Sequence, residues 1–192
     1  VQETPSQLEL KTVVSPTKDK LEPLLQLISH IGNHPGIIFC NFKDTIQEVS
    51  NFLTEHQISH GCFFGGMEQK DRERALIKFR NGTHTIIIAT DLAARGLDVP
   101  EIQFIIHYQL PNRAHEFVHR NGRTARMFSD GTAYLLKWEK ENLPDFVQNA
   151  QILTLKEAPL PPTSQWTTVY ISGDRKDKIS KVDIAGLFFK QG

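Results

Sequence analysis

The sequence predicts an α/β protein in which a parallel sheet is covered by helices on both faces. Short, continuously apolar runs at 36–40 and 85–89 indicate strands that are buried on both sides. Amphipathic helical patterns lie between the runs, so strands and helices alternate along the chain. This alternation favours parallel strands joined by helical crossovers. In such sheets ligands bind beyond the carboxyl ends of the strands.

The individual elements are predicted in chain order. Alternating apolar and polar residues over 8–14 predict the first strand, and leucines at helical spacing predict a helix from about 15 to 31. A helix that begins near residue 113 is expected to end or bend at Gly122, because glycine ends helices readily. The remaining predictions are strands at 36–40, 59–64, 85–89, 102–107 and 132–137, and helices at 44–55, 68–80 and 143–149.

Composition restricts the classes of protein. The chain has 192 residues with ordinary hydrophobic (39%) and charged (23%) contents, and its Lys+Arg and Asp+Glu counts are equal at 22 each. A nucleic-acid site would therefore be a local basic patch. The sequence contains neither a membrane-length apolar run nor a secretory signal, which predicts no membrane partner. The polar start without Met predicts a piece of a longer protein, and two cysteines in apolar runs fit a cytoplasmic location.

A basic segment at 119–126 is the strongest functional signal. It holds four basic side chains in eight residues, namely His119, Arg120, Arg123 and Arg126. Arg123 and Arg126 are three residues apart and therefore share one side of a helical or tightly turned path. Guanidinium groups without local carboxylates bind anions, and their geometry matches phosphate. The segment could instead be a solvated helix end, or its arginines could pair with distant carboxylates.

Polar side chains also follow the most apolar predicted strand. Thr90, Asp91, Arg95 and Asp98 offer a hydroxyl, two carboxylates and a cation, and Gly96 permits a tight loop among them. These groups are expected at the ligand edge of the sheet, because they lie directly beyond a strand end. Ordinary loop polarity is the alternative explanation.

Two further segments suit contacts with a sugar-phosphate backbone. Asn41 and Lys43 follow the strand at 36–40, although a helix start with a solvated lysine would look the same. Gly66, the second of two paired glycines, precedes a helix that carries Gln69 and Arg72, and glycine lets a phosphate approach the amides at a helix start. Arg72 could alternatively pair with an acid of its own helix. The histidines have no metal-ligand spacing, so no metal site is predicted.

Together these segments resemble the second RecA-like domain of DEAD-box RNA helicases. Residues 37–43 resemble motif IV, 69–72 match the QxxR motif, 89–98 match motif V and 119–126 match motif VI, all in the order of the family. The resemblance covers about residues 8–157 and implies a RecA-like doubly wound sheet over 1–157. The chain departs from the family pattern at Asn121, where an aliphatic residue is usual, and at Ala125, where glycine is usual.

The resemblance implies an enzyme that couples ATP hydrolysis to the separation or remodelling of RNA strands. The chain has no GxxxxGK[ST] phosphate loop and no Asp-Glu-Ala-Asp motif, which in the family belong to the N-terminal RecA-like domain. That partner domain would hold most of ATP with Mg, so the fragment alone is predicted to be inactive. Arg123 and Arg126 would be catalytic, reaching the γ-phosphate, with Arg126 the stronger candidate for an arginine finger.

The resemblance also implies two sets of contact residues. Asp98 would contact the ribose of ATP, and Arg95 would link the nucleotide and RNA sites. The full ATP-binding set is Arg95, Gly96, Asp98, His119, Arg120, Arg123 and Arg126. The RNA-binding set in this domain is Asn41, Lys43, Gly66, Gln69, Arg72, Thr90 and Asp91.

The C-terminal segment predicts a second unit. Residues 158–165 are rich in proline and predict an extended linker, and 166–192 predict a strand at 166–172 and a helix at 182–190. The segment resembles the start of a DbpA-type RNA-binding domain, a truncated RRM-like segment, which implies large-subunit ribosomal RNA as a partner and a role in ribosome biogenesis. Its RNA-binding candidates are Arg175, Lys176 and Lys178. A polar extension of the first domain is the alternative.

Two other functions stay open at this level. A non-catalytic RNA-binding or scaffold module could retain the fold, although Arg123 and Arg126 argue against it because a scaffold has no need of a γ-phosphate sensor. A related helicase that acts on DNA is the second possibility, and the run at 89–98 favours the RNA class by resemblance.

Overall fold

The computed structural model describes residues 8–97, 99, 102–123, 131–155, 159–160 and 167–169. These residues form a seven-stranded, fully parallel sheet with the order β3-β4-β2-β5-β6-β1-β7, which confirms the predicted architecture. The strands are β1 (Glu9–Ser15), β2 (Gly36–Phe39), β3 (His60–Phe63), β4 (Ile86–Ala89), β5 (Phe104–His107), β6 (Thr132–Trp138) and β7 (Gln151–Ile152). The helices are α1 (Leu21–Ile31), α2 (Lys43–Glu55), α3 (Gln69–Arg80), α4 (Asp91–Ala94) and α5 (Ala114–Asn121).

The alternation of side chains along the strands divides the core between the two faces of the sheet. Ile38 belongs to the cluster that contains the buried leucines of α1 and α2, whereas its neighbour Ile37 belongs to the cluster that contains residues of α3 and α4. Both faces are therefore covered, as continuous apolar strands require. The start of β2 is packed so closely that a Cβ at Gly36 would lie 2.3 Å from the ring of Phe104.

Helix α1 begins later than the sequence predicts. Ser15 Oγ donates to the carbonyl of Thr17 at 2.6 Å, and Thr17 Oγ1 donates to that of Asp19 at 2.7 Å. These local bonds compete with helix formation and hold 16–20 outside the helix. The helix itself starts at Leu21.

The predicted helix at 143–149 is wrong. The structure has turns there, followed by β7, a short strand parallel to β1 that the sequence did not indicate. Phe146 and Val147 pack against the cluster of Phe117 and Leu135, so burial is satisfied without a helix. Asn149 adopts a left-handed φ of 60°, which ends any helical path. Seven residues are too few for local propensity to resist tertiary packing.

The predicted linker and C-terminal segment lie largely outside the described residues. Within the predicted strand at 166–172, residues 167–169 are described and have no regular secondary structure. Thr168 Oγ1 lies 2.6 Å from Thr83 Oγ1. The predicted helix at 182–190 lies outside the described residues.

Two expectations from composition can be compared with the fold. Cys40 is buried and Cys62 half-buried, both as free thiols. Among the helices that the structure describes, each is too short or too polar to cross a membrane.

Candidate functional site

The side chain of Arg120 occupies the carboxyl edge of the sheet and is only 1% exposed. Its Nε and Nη2 atoms donate to the two carboxylate oxygens of Asp91, each at 2.7 Å. Nη2 also donates to Asn41 Oδ1 at 2.6 Å, and Nη1 donates to the Gln109 carbonyl at 2.8 Å. We call these four residues the Arg120 group. One guanidinium from α5 thus joins the loops that follow β2, β4 and β5.

This placement gives Arg120 a bonding role within the domain, and its predicted contact with ATP stays a prediction. Both edges of the guanidinium are engaged within the domain, so a ligand would share its hydrogen-bonding groups with these partners. Asn41 also uses its Nδ2 atom, which donates to the Leu110 carbonyl at 3.0 Å. The Asp91 side chain keeps 27% of its surface exposed. Direct RNA contacts by Asn41 and Asp91 stay predictions.

His107 connects the Arg120 group to Asn121. Both side chains are buried, with His107 Nδ1 3.4 Å from Arg120 Nη1 and His107 Nε2 2.8 Å from Asn121 Oδ1. A guanidinium can only donate, so Nδ1 accepts and Nε2 carries the proton. Burial first, and then the positive charge of Arg120, lower the pKa of His107 to about 3. The imidazole is therefore neutral.

Sequence reasoning missed His107, and it marked Asn121 only as a departure from the family pattern. The side chains of His107 and Asn121 form a buried hydrogen-bonded pair, in which the amide oxygen of Asn121 accepts the Nε2 proton of the histidine. The available signal was a single histidine at the end of the apolar run 104–107.

Acidification is expected to destabilise the domain through His107. Its pKa is about 3 in the folded protein and about 6.5 in an unfolded chain. The unfolded state therefore binds one proton more between these values. The contribution of the neutral His107 side chain to the free energy of unfolding is complete above pH ~6.5. It is lost as the pH falls towards ~3, at up to about 1.4 kcal/mol per pH unit.

Urea unfolding at pH 7 and pH 5 checks this expectation. His107→Gln should lose less stability between the two pH values than the parent chain, whereas the matched change of an exposed histidine, His34→Gln, should lose as much as the parent. His84, whose pKa burial lowers to about 4, is present in all three proteins, so its contribution should cancel in the comparison. An unchanged pH dependence in His107→Gln would contradict the assignment of a neutral buried imidazole.

A shallow cleft beside the Arg120 group presents basic side chains to solvent. Arg95 and His119 are exposed and Arg123 is half-buried, with its Nη1 donating to the Leu97 carbonyl at 3.1 Å. Gly96 turns the chain between Arg95 and Leu97 with a left-handed φ of 72°. The cleft is lined by Phe39, Asp91, Ala94, Arg95, His115, Glu116, His119, Arg120 and Arg123.

The structure thus brings together four predicted ATP-binding side chains, those of Arg95, His119, Arg120 and Arg123, although they come from different parts of the chain. The exposed guanidinium of Arg95 and the half-buried guanidinium of Arg123 carry positive charge, which fits an anionic ligand. Asp98 and Arg126 lie outside the described residues, and their predicted roles stay predictions. Within the described part of the chain, no group of three or more His, Cys, Asp or Glu side chains could hold a metal ion.

Among the predicted RNA-binding residues near α3 and α4, Arg72 joins the two helices, whereas Thr90 and Gln69 each bond next to or within their own helix. Arg72 Nη2 donates to the carbonyls of Ala93 at 3.1 Å and Arg95 at 3.4 Å. Thr90 Oγ1 accepts from the amide of Ala93 at 3.4 Å and so caps the start of α4. Gln69 Nε2 donates to Glu73 one turn further along α3 at 3.3 Å.

The remaining predicted RNA-binding residues lie on the surface or outside the described chain. Lys43 is exposed, and its Nζ lies 4.7 Å from the centroid of the Phe64 ring. Gly66 is exposed with a left-handed φ of 84°, as a tight turn before α3 requires. The segment that contains Arg175, Lys176 and Lys178 lies outside the described residues.

The family described as the helicase conserved C-terminal domain matches residues 19–128, which include the Arg120 group and the cleft. The chain belongs to this family. This chain is 36% identical over 132 residues to the DEAD-box ATP-dependent RNA helicase CshB of Bacillus subtilis, and the match covers 69% of this chain. The match spans only 30% of the length of CshB, so the chain corresponds to a part of that relative.

Solved structures agree on the RecA-like helicase C-terminal fold. The E. coli DEAD-box protein SrmB, bound to the regulator of ribonuclease activity A, aligns with a TM-score of 0.72 at 23% identity over 85% of this chain and 99% of that one. At this identity the match shows the fold alone. S. cerevisiae Dbp5 bound to RNA and ADP BeF3 aligns with a TM-score of 0.62 at 25% identity, over 69% of this chain and 36% of that one.

Proposed function

We propose that this helicase C-terminal domain is the second motor domain of an ATP-dependent RNA helicase of the DEAD-box class. The observation that carries the proposal is the cleft in which Arg95, His119 and Arg123 meet at the carboxyl edge of the sheet. The names of the relatives support it, since CshB is a DEAD-box ATP-dependent RNA helicase and Dbp5 has been solved with RNA and ADP BeF3.

In this proposal the chain supplies cations to a nucleotide that an N-terminal RecA-like domain holds with Mg. ATP supplies the γ-phosphoryl group that is transferred to water. Arg123 and Arg126 stabilise the negative charge that develops on that group, and charge stabilisation of this kind is the main protein contribution to phosphoryl transfer. Arg95, Gly96 and His119 form the wall of the nucleotide side, and Asp98 contacts the ribose.

The RNA side of the proposal uses the other part of the same sheet edge. Lys43, Gly66, Gln69, Arg72 and Thr90 lie beyond β2, β3 and β4 or at the start of α3. Cations and backbone amides suit contacts with phosphates, which position RNA without reading its sequence. Asn41 and Asp91 contribute in this proposal by fixing the loops through Arg120.

Phosphate release tests the proposed function. The full-length protein should hydrolyse ATP with RNA stimulation, whereas this chain alone should release no phosphate above background, because it has no phosphate loop. Turnover that follows the concentration of the purified chain would overturn the two-domain proposal. The absence of RNA-stimulated hydrolysis by the full-length protein would favour a non-catalytic RNA-binding module.

Arg72→Ala is expected to weaken RNA binding by the full-length protein about equally for unrelated sequences. The slope of log affinity against log salt should fall by roughly one phosphate contact. Arg80→Ala is the matched control, since it removes the same charge at the opposite end of α3. Binding isotherms at several salt concentrations measure the affinity and the salt slope of each variant. A loss confined to one RNA sequence would mean base readout and would contradict a backbone contact.

For the C-terminal segment we propose the start of a DbpA-type, RRM-like domain that directs the enzyme to large-subunit ribosomal RNA in the cytoplasm. Residues 166–192 carry five basic and three acidic side chains, a net charge of +2 in a chain that is neutral as a whole. Arg175, Lys176 and Lys178 would contact the RNA. A local basic excess of this kind suits a nucleic-acid module.

Deleting the residues from 158 onwards in the full-length protein is expected to leave ATPase activity that any RNA stimulates, and to abolish the preference for ribosomal RNA. The measurement compares the stimulation of ATP hydrolysis by structured ribosomal RNA and by random RNA of equal length. Equal stimulation by the two RNAs in the intact protein would instead support a polar extension.

A further inference from the structure

Phe42 is an exposed aromatic residue at a position that favours small polar ones. It follows β2 as the N-cap of α2, with φ −131° and ψ 148°, and its side chain makes no capping hydrogen bond. Ser, Thr, Asp and Asn are strongly preferred at this position because they accept from the first free amides of the helix. The ring is also 63% exposed. The exposed ring is the feature that points to a function, since Lys20, Glu68 and Arg113 likewise occupy N-cap positions without a capping hydrogen bond.

The backbone around Phe42 is fixed rather than loose. The amide of Cys40 donates to the Ala89 carbonyl at 3.0 Å, and the amide of Asn41 donates to Gln109 Oε1 at 2.7 Å. The Asn41 side chain belongs to the Arg120 group, so Phe42 directly follows an anchored residue. The ring therefore projects from a defined point at the carboxyl edge of the sheet.

The surroundings of Phe42 suit a nucleic acid better than an apolar protein surface. Its neighbours in sequence are the polar residues Asn41, Lys43 and Asp44, of which Lys43 and Asp44 are exposed like the ring itself. Lys43, the next residue, is exposed and is one of the proposed phosphate contacts. An aromatic ring next to a phosphate-binding cation is the combination with which proteins hold single-stranded nucleic acid.

We propose that Phe42 stacks on a base of the bound RNA single strand. The proposal rests on the proposed function and deepens it, because it adds a base contact to a domain whose other RNA contacts are to the backbone. Stacking on a π-face accepts every base, so the contact strengthens binding without selecting a sequence.

The experiment uses Phe42→Ser, which should change stability and RNA binding in opposite directions. Serine restores a capping side chain, so the Tm of the variant chain should rise. RNA binding by the full-length protein, measured with single-stranded oligonucleotides, should weaken roughly tenfold, the size of one lost stacking contact. Phe42→Trp should retain the affinity. Ile77→Ser, which removes a partly exposed apolar side chain from α3, is the control and should leave RNA affinity unchanged.

An abasic oligonucleotide of the same length separates stacking from every other role of the ring. The parent protein and Phe42→Ser should bind it equally, since no base is present to stack. Equal binding of base-containing RNA by the two proteins overturns the proposal, and so does an equal loss on abasic RNA, which would mean that the ring contacts protein. If Arg72→Ala weakens RNA binding while Phe42→Ser does not, stacking fails and the proposed RNA function stands. If the parent binds no RNA, both fail.

Discussion

Replacing Arg123 or Arg126 by alanine in the full-length protein is expected to lower the kcat of RNA-stimulated ATP hydrolysis by about 10³-fold, the lower range for a lost arginine finger. Arg123 lines the cleft together with Arg95 and His119, so its charge faces the proposed nucleotide position. A guanidinium that acts on charge developing in the transition state contributes little to ground-state binding. The KM for ATP should therefore rise much less than kcat falls.

Arg80→Ala provides the control, because it removes an arginine from the far end of α3 and should leave both kinetic constants unchanged. Arginine-to-lysine changes at 123 and 126 should recover little activity, since an ammonium group does not reproduce the planar fork of a guanidinium. A kcat that stays within about twofold of the parent value in both alanine variants would be too small an effect for a lost finger and would refute the assignment.

Replacing Arg120 by leucine is expected to lower the free energy of unfolding of this chain by about 3 kcal/mol. The change removes hydrogen bonds to Asp91, Asn41 and the Gln109 carbonyl. It also leaves the carboxylate of Asp91 without its counter-charge, although partial exposure of that carboxylate limits the penalty. Arg120→Lys should recover little of the loss, since an ammonium group cannot engage both oxygens of a carboxylate and a carbonyl in one plane.

Urea unfolding of the parent, Arg120→Leu, Asp91→Asn and the double variant measures the coupling between the two residues. The double variant should lose less stability than the sum of the single losses, because each single change already breaks the same pair. Arg95→Leu, an exposed arginine in the same cleft, is the matched control and should change the free energy of unfolding by less than about 0.5 kcal/mol. Additive losses, or equal losses at 95 and 120, would contradict the central role of Arg120.

The parallel sheet could be predicted because its information is local. Strands buried on both faces, such as β2 and β4, appear as continuous apolar runs, and the helices between them have regular periodicity. The turns at 143–149 could not be predicted, because the residues that replace helical hydrogen bonding by packing, Phe117 and Leu135, lie elsewhere in the sequence. Strand β7 depends in the same way on its pairing with β1.

The sequence indicates which arginines lie at the candidate site, but it does not indicate which of them is buried within the domain and which faces solvent. Patterns of charge indicate that Arg120, Arg123 and Arg95 lie at one edge of the sheet. They do not indicate which guanidinium is enclosed, because burial of Arg120 depends on carboxylate and amide oxygens contributed by distant loops. The role of His107 likewise depends on residues distant in sequence, namely Arg120 and Asn121 of α5.

Helix α4 has a single turn, too short to be stable through its own hydrogen bonds. Its two ends are held from outside the turn, by the hydroxyl of Thr90 and by the guanidinium of Arg72, which reaches across from α3. An RNA phosphate that draws Arg72 away would therefore compete with the order of this turn, and the turn leads directly into Arg95 at the proposed nucleotide cleft. Binding of RNA and binding of the nucleotide would then be coupled, so that each ligand changes the affinity of the chain for the other by the same factor. Amide hydrogen exchange at residues 93–95, with and without RNA, measures that coupling, and unchanged protection would exclude it.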